Sequence, residues 1–205
     1  MEFAKLGQHM NILNTVGSLA LLSTVLLAPN ALYATDCSAW SQFNSTQDYL
    51  ESRSIDPLEV DDALNASQFS RGLEITTELR DRELWIDILS FPGDAPVVTG
   101  TAAIMKVGRL AGGEFDALVL VDNGTPIFLV DEPIAREVGC QFIWGREGGE
   151  NPIHLLRILM KNLKRYDTRQ PVTTGFTGHL LGDTTLAMRI NNEVLAQEWA
   201  FSALE

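Results

Sequence analysis

Histidine is the side chain best suited to proton transfer near neutral pH, and the chain carries three of them, His9, His154 and His179. His154 follows Asn151-Pro152-Ile153, in what reads as the first turn of a helix. The helix dipole disfavours an imidazolium there and leaves a neutral base or ligand. Two carboxylates, Glu147 and Glu150, precede it in the Gly-rich stretch GREGGE. His179 follows Gly178 in a Gly- and Thr-rich segment. His154 and His179 brought together beside Glu147 would give the acid/base or metal centre of a small hydrolase. Nothing in their spacing requires them to meet, and the plainer reading is two partly exposed structural histidines.

The other chemistry-bearing patterns are weaker. The sequence contains no G-x-S-x-G elbow and no H-E-x-x-H. Gly112-Gly113 and Gly148-Gly149 bring no lysine at phosphate-loop spacing. Asp122-Asn123-Gly124 and Gly182-Asp183 read as turns, since a calcium loop needs a longer run of alternating oxygen ligands. Asp61-Asp62, Glu74 and Glu78 read as solvent-facing acids. No cofactor and no metal is expected. Trp40, Trp85, Trp144 and Trp199 are core candidates, with one exception in prospect. An exposed Trp144 beside Arg146 and Glu147 would form a recognition rim, with Arg157 and Lys161 nearby on the following helix.

Address and charge narrow the function classes. Residues 1–34 read as an export signal: Lys5 in a short polar start, then Val16–Leu27, mostly apolar, then Pro29. Cleavage is expected after Ala34, although Leu32 stands where a small residue is usual. An uncleaved anchor is the alternative, and the 12-residue run is shorter than the ~20 residues a spanning helix needs. Residues 35–205 are expected to form a single domain, with no stable membrane insertion after cleavage. The net charge of −12 disfavours nucleic acid and anionic lipid and favours a basic protein partner. Cys37 and Cys140, the two cysteines, are expected to pair in an oxidising compartment. A loop of that length is worth at most roughly 4–5 kcal/mol in the chain-entropy model. Asn44, Asn65 and Asn123 head glycosylation sequons, and Asn123 is better explained by its turn.

The elements that must position these residues are organised around Glu114–Asp131, EFDALVLVDNGTPIFLVD. Two apolar runs flank Asn123-Gly124, the pair that a type I′ hairpin turn prefers. Both runs, Ala117–Val121 and Ile127–Val130, are apolar almost throughout, so both faces of the hairpin are expected to be covered. Leu73–Leu79 and Leu84–Leu89 alternate at period two around Arg80–Arg82 and predict a second hairpin. Pro96–Leu110 reads as a further strand, Pro133–Val138 as one helical turn, and Gln141–Trp144 as a short strand. Asn151 and Pro152 open the clearest helix, expected over Pro152–Tyr166 with Ile153, Leu156, Met160 and Leu163 inward. Arg157, Lys161, Lys164 and Arg165 line another side of it, as a solvated face or as a docking ridge for an acidic partner.

Val172–Leu181 and Thr184–Ile190 suit a hairpin, and Glu193–Leu204 a closing helix rather than a strand. Upstream, Thr46–Ser52 suits a short helix. Asp56-Pro57 suits a helix start, with Leu58, Ala63, Leu64 and Phe69 inward.

The fold expected is α+β: an antiparallel sheet of hairpins against one main amphipathic helix, with a helical N-terminal segment. The function expected is an exported, non-catalytic binding or inhibitor-type protein, periplasmic or extracellular, presenting an acidic surface to a protein partner. A hydrolase built on His154 or His179, and a carrier of an apolar small molecule, are the alternatives. The first needs both histidines and a carboxylate in one cleft, the second a large apolar cavity.

Overall fold

The computed structural model describes residues 55–66, 72–112, 115–144 and 151–202, with the side chains of 143 and 144 outside that description. Residues 1–34, read as an export signal, Cys37, the expected helix at 46–52, Phe69, and the stretch carrying Arg146 and Glu147 lie outside the described residues. All described residues belong to one compact unit, Tyr33–Glu205.

The two expected hairpins are both present. β1 (Glu74–Arg80) pairs antiparallel with β2 (Glu83–Ser90), and β3 (Ala117–Asp122) pairs antiparallel with β4 (Thr125–Asp131). Asn123 and Gly124 both sit at positive φ, 49° and 78°, as a type I′ turn requires. Asp81 and Arg82 do the same at 45° and 67°, without a glycine. Arg82 is braced there by Asp116, whose carboxylate accepts from Nε at 3.1 Å and Nη2 at 2.8 Å. Both faces of the central hairpin are covered. Leu118, Leu120, Phe128 and Val130 join the main core. Ala117, Val119, Val121 and Leu129 form a smaller cluster on the other side, with Trp85 and Tyr166 against it.

The fold is α+β, with a mixed, mostly antiparallel sheet in the order β1-β2-β3-β4-β5. The departure from a purely antiparallel sheet is the junction of the hairpins: β2 and β3 run parallel. A parallel pair needs a crossover of a dozen or more residues, usually helical. That crossover is α2 (Val98–Leu110), in place of the expected strand. Its periodicity misleads because Gly100, Thr101 and all of Ala103–Leu110 are buried. A helix enclosed on nearly all sides shows no polar stripe, and an apolar run alone does not distinguish it from a buried strand.

The expected turn at 133–138 and strand at 141–144 are one helix, α3 (Glu132–Trp144). It crosses α2 at unusually close range, where Gly108 faces Ala135 and Gly139 faces Met105 and Arg109. Arg136 pairs with Glu132 one turn away, and both are buried.

α4 (Pro152–Asn162) starts as expected, the Asn151 side chain accepting from the Ile153 amide at 2.9 Å. It ends earlier, and Lys164–Arg165 instead form β5 on β4. Its buried residues are Leu155, Leu159 and Met160, with Ile153 turned outward.

The expected C-terminal hairpin is a helix, α5 (Leu180–Ile190), running on into a π-helical segment, Asn191–Ala200. Thr184, Leu186, Met188 and Ile190 alternate in sequence without being a strand, since only Ile190 of the four is fully buried. Trp199 anchors the close of the chain: it is fully buried and its Nε1–H donates to the Val121 carbonyl at 3.0 Å.

Upstream, Asp56 caps a 3-10 turn at Pro57–Glu59, which leads into α1 (Val60–Asn65). Val60 and Leu64 face the core, and Leu58 faces solvent.

Candidate functional site

The histidines are placed by the ends of two adjacent helices. His154 is half-buried in the first turn of α4, and His179 is the exposed residue just before α5. α4 and α5 pack together, yet among the described residues neither imidazole takes part in a hydrogen bond or ion pair. No group of three His, Cys, Asp or Glu side chains among them is set to hold a metal. Glu147 and Glu150 lie outside the described residues.

The carboxylate that reaches this corner is Asp183. It accepts from the Thr177 amide at 2.9 Å, the Gly178 amide at 2.9 Å and the Thr177 hydroxyl at 3.3 Å. These bonds, the Thr177 amide foremost, and the positive charge of Arg157 hold its carboxyl below the ordinary 3.8. Asp183 therefore fastens Thr177 and Gly178 to the first turn of α5 rather than orienting a histidine.

Two of the four basic side chains of the expected ridge are paired within the chain. Lys164 reaches Asp131 at 2.5 Å. Arg165 holds Glu198 through both terminal nitrogens and lies 4.7 Å above the Phe128 ring. Arg157 is half-buried near Asp183, and Lys161 is exposed. The ridge thus divides between α4 and β5 and is not a continuous cationic face.

Sequence reasoning missed a polar and aromatic array on the outer sheet face. Glu83 accepts from the Tyr166 hydroxyl at 3.0 Å, from Arg169 at 2.9 Å and from the Trp85 indole at 3.4 Å. Trp85 and Tyr166 meet edge to face at 5.9 Å. Arg80 lies over the first ring at 4.1 Å and Arg169 over the second at 4.3 Å. Each ring is thereby capped by a guanidinium. The array closes the small second cluster and leaves no open aromatic platform.

Cys140 is buried on α3 at 1% exposure, and no described cysteine is free. Its expected partner, Cys37, lies outside the described residues.

One concave feature of the described surface is apolar. Val98, Ala102 and Met105 of α2, Phe142 of α3, and Ile153 and Leu156 of α4 line a groove of about 110 Å³. Val98 and Ile153 stand on its rim at 52% and 47% exposure. Small-molecule sites usually occupy about 300–1,000 Å³, so the groove does not suit a carrier of a sizeable apolar ligand. It is built from the end of α3 and the start of α4, the two elements that flank residues 145–150. It therefore adjoins in sequence the Trp144–Glu147 stretch expected to form a recognition rim.

Set against protein-family models, characterised proteins and solved structures, the chain matches none.

Proposed function

We propose that this protein is an exported, non-catalytic binding protein that takes one apolar side chain of a basic protein segment into the groove between α2, α3 and α4. The observation that carries this reading is the groove itself. Its walls are aliphatic and aromatic, it is small and open, and Val98 and Ile153 flank it in solvent. Interfaces draw most of their binding energy from a few anchor residues seated in desolvated pockets. The net charge of −12 supplies long-range attraction for a basic partner. Among the described residues no helix is long and apolar enough to cross a membrane. The export reading draws support from the Val16–Leu27 run and from the absence of a free cysteine among the described residues.

The test is crosslinked capture from the cells that make the protein, comparing wild type with Ile153→Asp. Ile153 is exposed, so the substitution leaves the core intact, and an unchanged melting curve verifies this. The proposal expects one partner near equal abundance with wild type, reduced by salt and lost with Ile153→Asp. Equal capture by both proteins would reject it.

A further inference from the structure

We infer that the outer edge of β1 is a strand-pairing surface for a second copy of this chain, held shut by side chains of α1. Among the described residues, β1 is the first strand of the sheet and pairs only with β2. Its two-residue turn makes Arg80 and Glu83 the closing pair, so Arg80, Glu78 and Thr76 direct their backbone groups toward β2. Ile75, Thr77 and Leu79 then direct theirs outward. An open row of this kind is a template for pairing with another chain, and proteins commonly cover it.

The covering comes from two residues one helical turn apart. The Asn65 carboxamide acts as a surrogate strand: its oxygen accepts from the Ile75 amide at 3.0 Å and its nitrogen donates to the Ile75 carbonyl at 2.8 Å. The Asp61 carboxylate accepts from the Thr77 amide at 3.0 Å. The Thr77 hydroxyl donates to the Pro57 carbonyl at 3.1 Å and fastens the turn before α1. Among the described residues no hydrogen bond reaches the Leu79 amide, and the Leu79 side chain is 40% exposed. Thus α1 caps the first two outward positions and stops short of the third.

The sequence of β1, EITTELR, is self-complementary about its centre. In an antiparallel pair of copies centred on Thr77, Thr77 faces Thr77, Ile75 faces Leu79 and Glu74 faces Arg80. The three outward-facing residues thus oppose one another, so all their amides and carbonyls find partners. The terminal pairs bring opposite charges together twice, which favours this register. A two-fold axis normal to the sheet keeps Ile75 and Leu79 on one face and closes the assembly as a dimer.

The latch is tested in the full chain. Hydrogen exchange of the wild-type protein is expected to show protected Ile75 and Thr77 amides and a Leu79 amide exchanging at least tenfold faster. Equal rates at Thr77 and Leu79 would reject the latch, whatever any variant does. Asp61→Ala with Asn65→Ala is then expected to raise exchange at Ile75 and Thr77 about tenfold and to produce a dimer in sedimentation velocity. Adding Arg80→Glu, which sets Glu74 against a like charge, should abolish that dimer, and adding Glu74→Arg as well should restore it. A double variant that sediments as wild type, or a dimer indifferent to Arg80→Glu, would overturn the pairing surface.

Discussion

Replacing Gly139 by alanine is the sharpest test of how α2 and α3 meet. A Cβ placed there stands 2.4 Å from the Met105 carbonyl oxygen and 2.6 Å from the Arg109 amide nitrogen. Both are backbone atoms and cannot swing away as a side chain would. Restoring an ordinary contact requires the helices to part by about 1 Å, and a gap of that order forfeits much of the dispersion energy along their shared surface. Overpacking of this kind costs about 1–3 kcal/mol, and more where backbone must move. Alanine returns about 1 kcal/mol of helix propensity. The net loss expected is about 2 kcal/mol, or a fall in Tm of about 4–8 °C for a chain of this size.

Gly108→Ala meets the Ala135 carbonyl at 2.2 Å and should cost at least as much. The double variant should cost less than the sum, since one separation relieves both clashes. Gly182→Ala, in α5 with nothing within 4 Å, is the matched control and should be neutral or stabilising by up to about 1 kcal/mol. Urea unfolding of the wild type and the four variants measures all of this. The reasoning fails if Gly139→Ala and Gly182→Ala move the midpoint alike.

Three further outcomes follow from the same contacts. Trp199→Ala removes the largest fully buried side chain among the described residues and its hydrogen bond to the Val121 carbonyl; unfolding should show a loss of about 3–5 kcal/mol. Asn123→Ala places alanine at positive φ without the tolerance of asparagine and should cost about 1 kcal/mol by thermal unfolding. Asp183 has its carboxyl held low in the folded state, so its contribution is present above the ordinary 3.8 and is lost as pH falls through the lower folded-state value. Urea titrations at several pH values should therefore show Asp183→Asn less stable than wild type at neutral pH, with the difference closing under acid.

The two hairpins were legible because their signals are local. Asn123-Gly124 prescribes its turn, and Leu84, Ile86 and Ile88 alternate in a sheet with one buried face. The capped start of α4 was legible for the same reason. α2 was not, because its surroundings bury it almost completely and erase the period that would announce a helix. α3 was split by Gly139, which in sequence looks like a breaker and in the fold permits close helix contact. α5 imitated a strand through threonines that donate back to the Leu180 and Leu181 carbonyls one turn earlier. The groove had no sequence signature, since its walls are ordinary apolar residues drawn from three helices. Asn65 and Asp61 carried signals of a different kind, a sequon and a solvent-facing acid pair, and only the strand beside them discloses their role.

The groove is tested most directly by placing a photo-crosslinking benzophenone amino acid at Ile153, and separately at Leu89, which is exposed on β2. Irradiation in the producing cells should give one discrete adduct from position 153 and none from Leu89. Mass spectrometry should map that adduct to an apolar residue within a basic segment of the partner. No adduct at position 153, or the same adducts from both positions, would contradict a binding site in the groove.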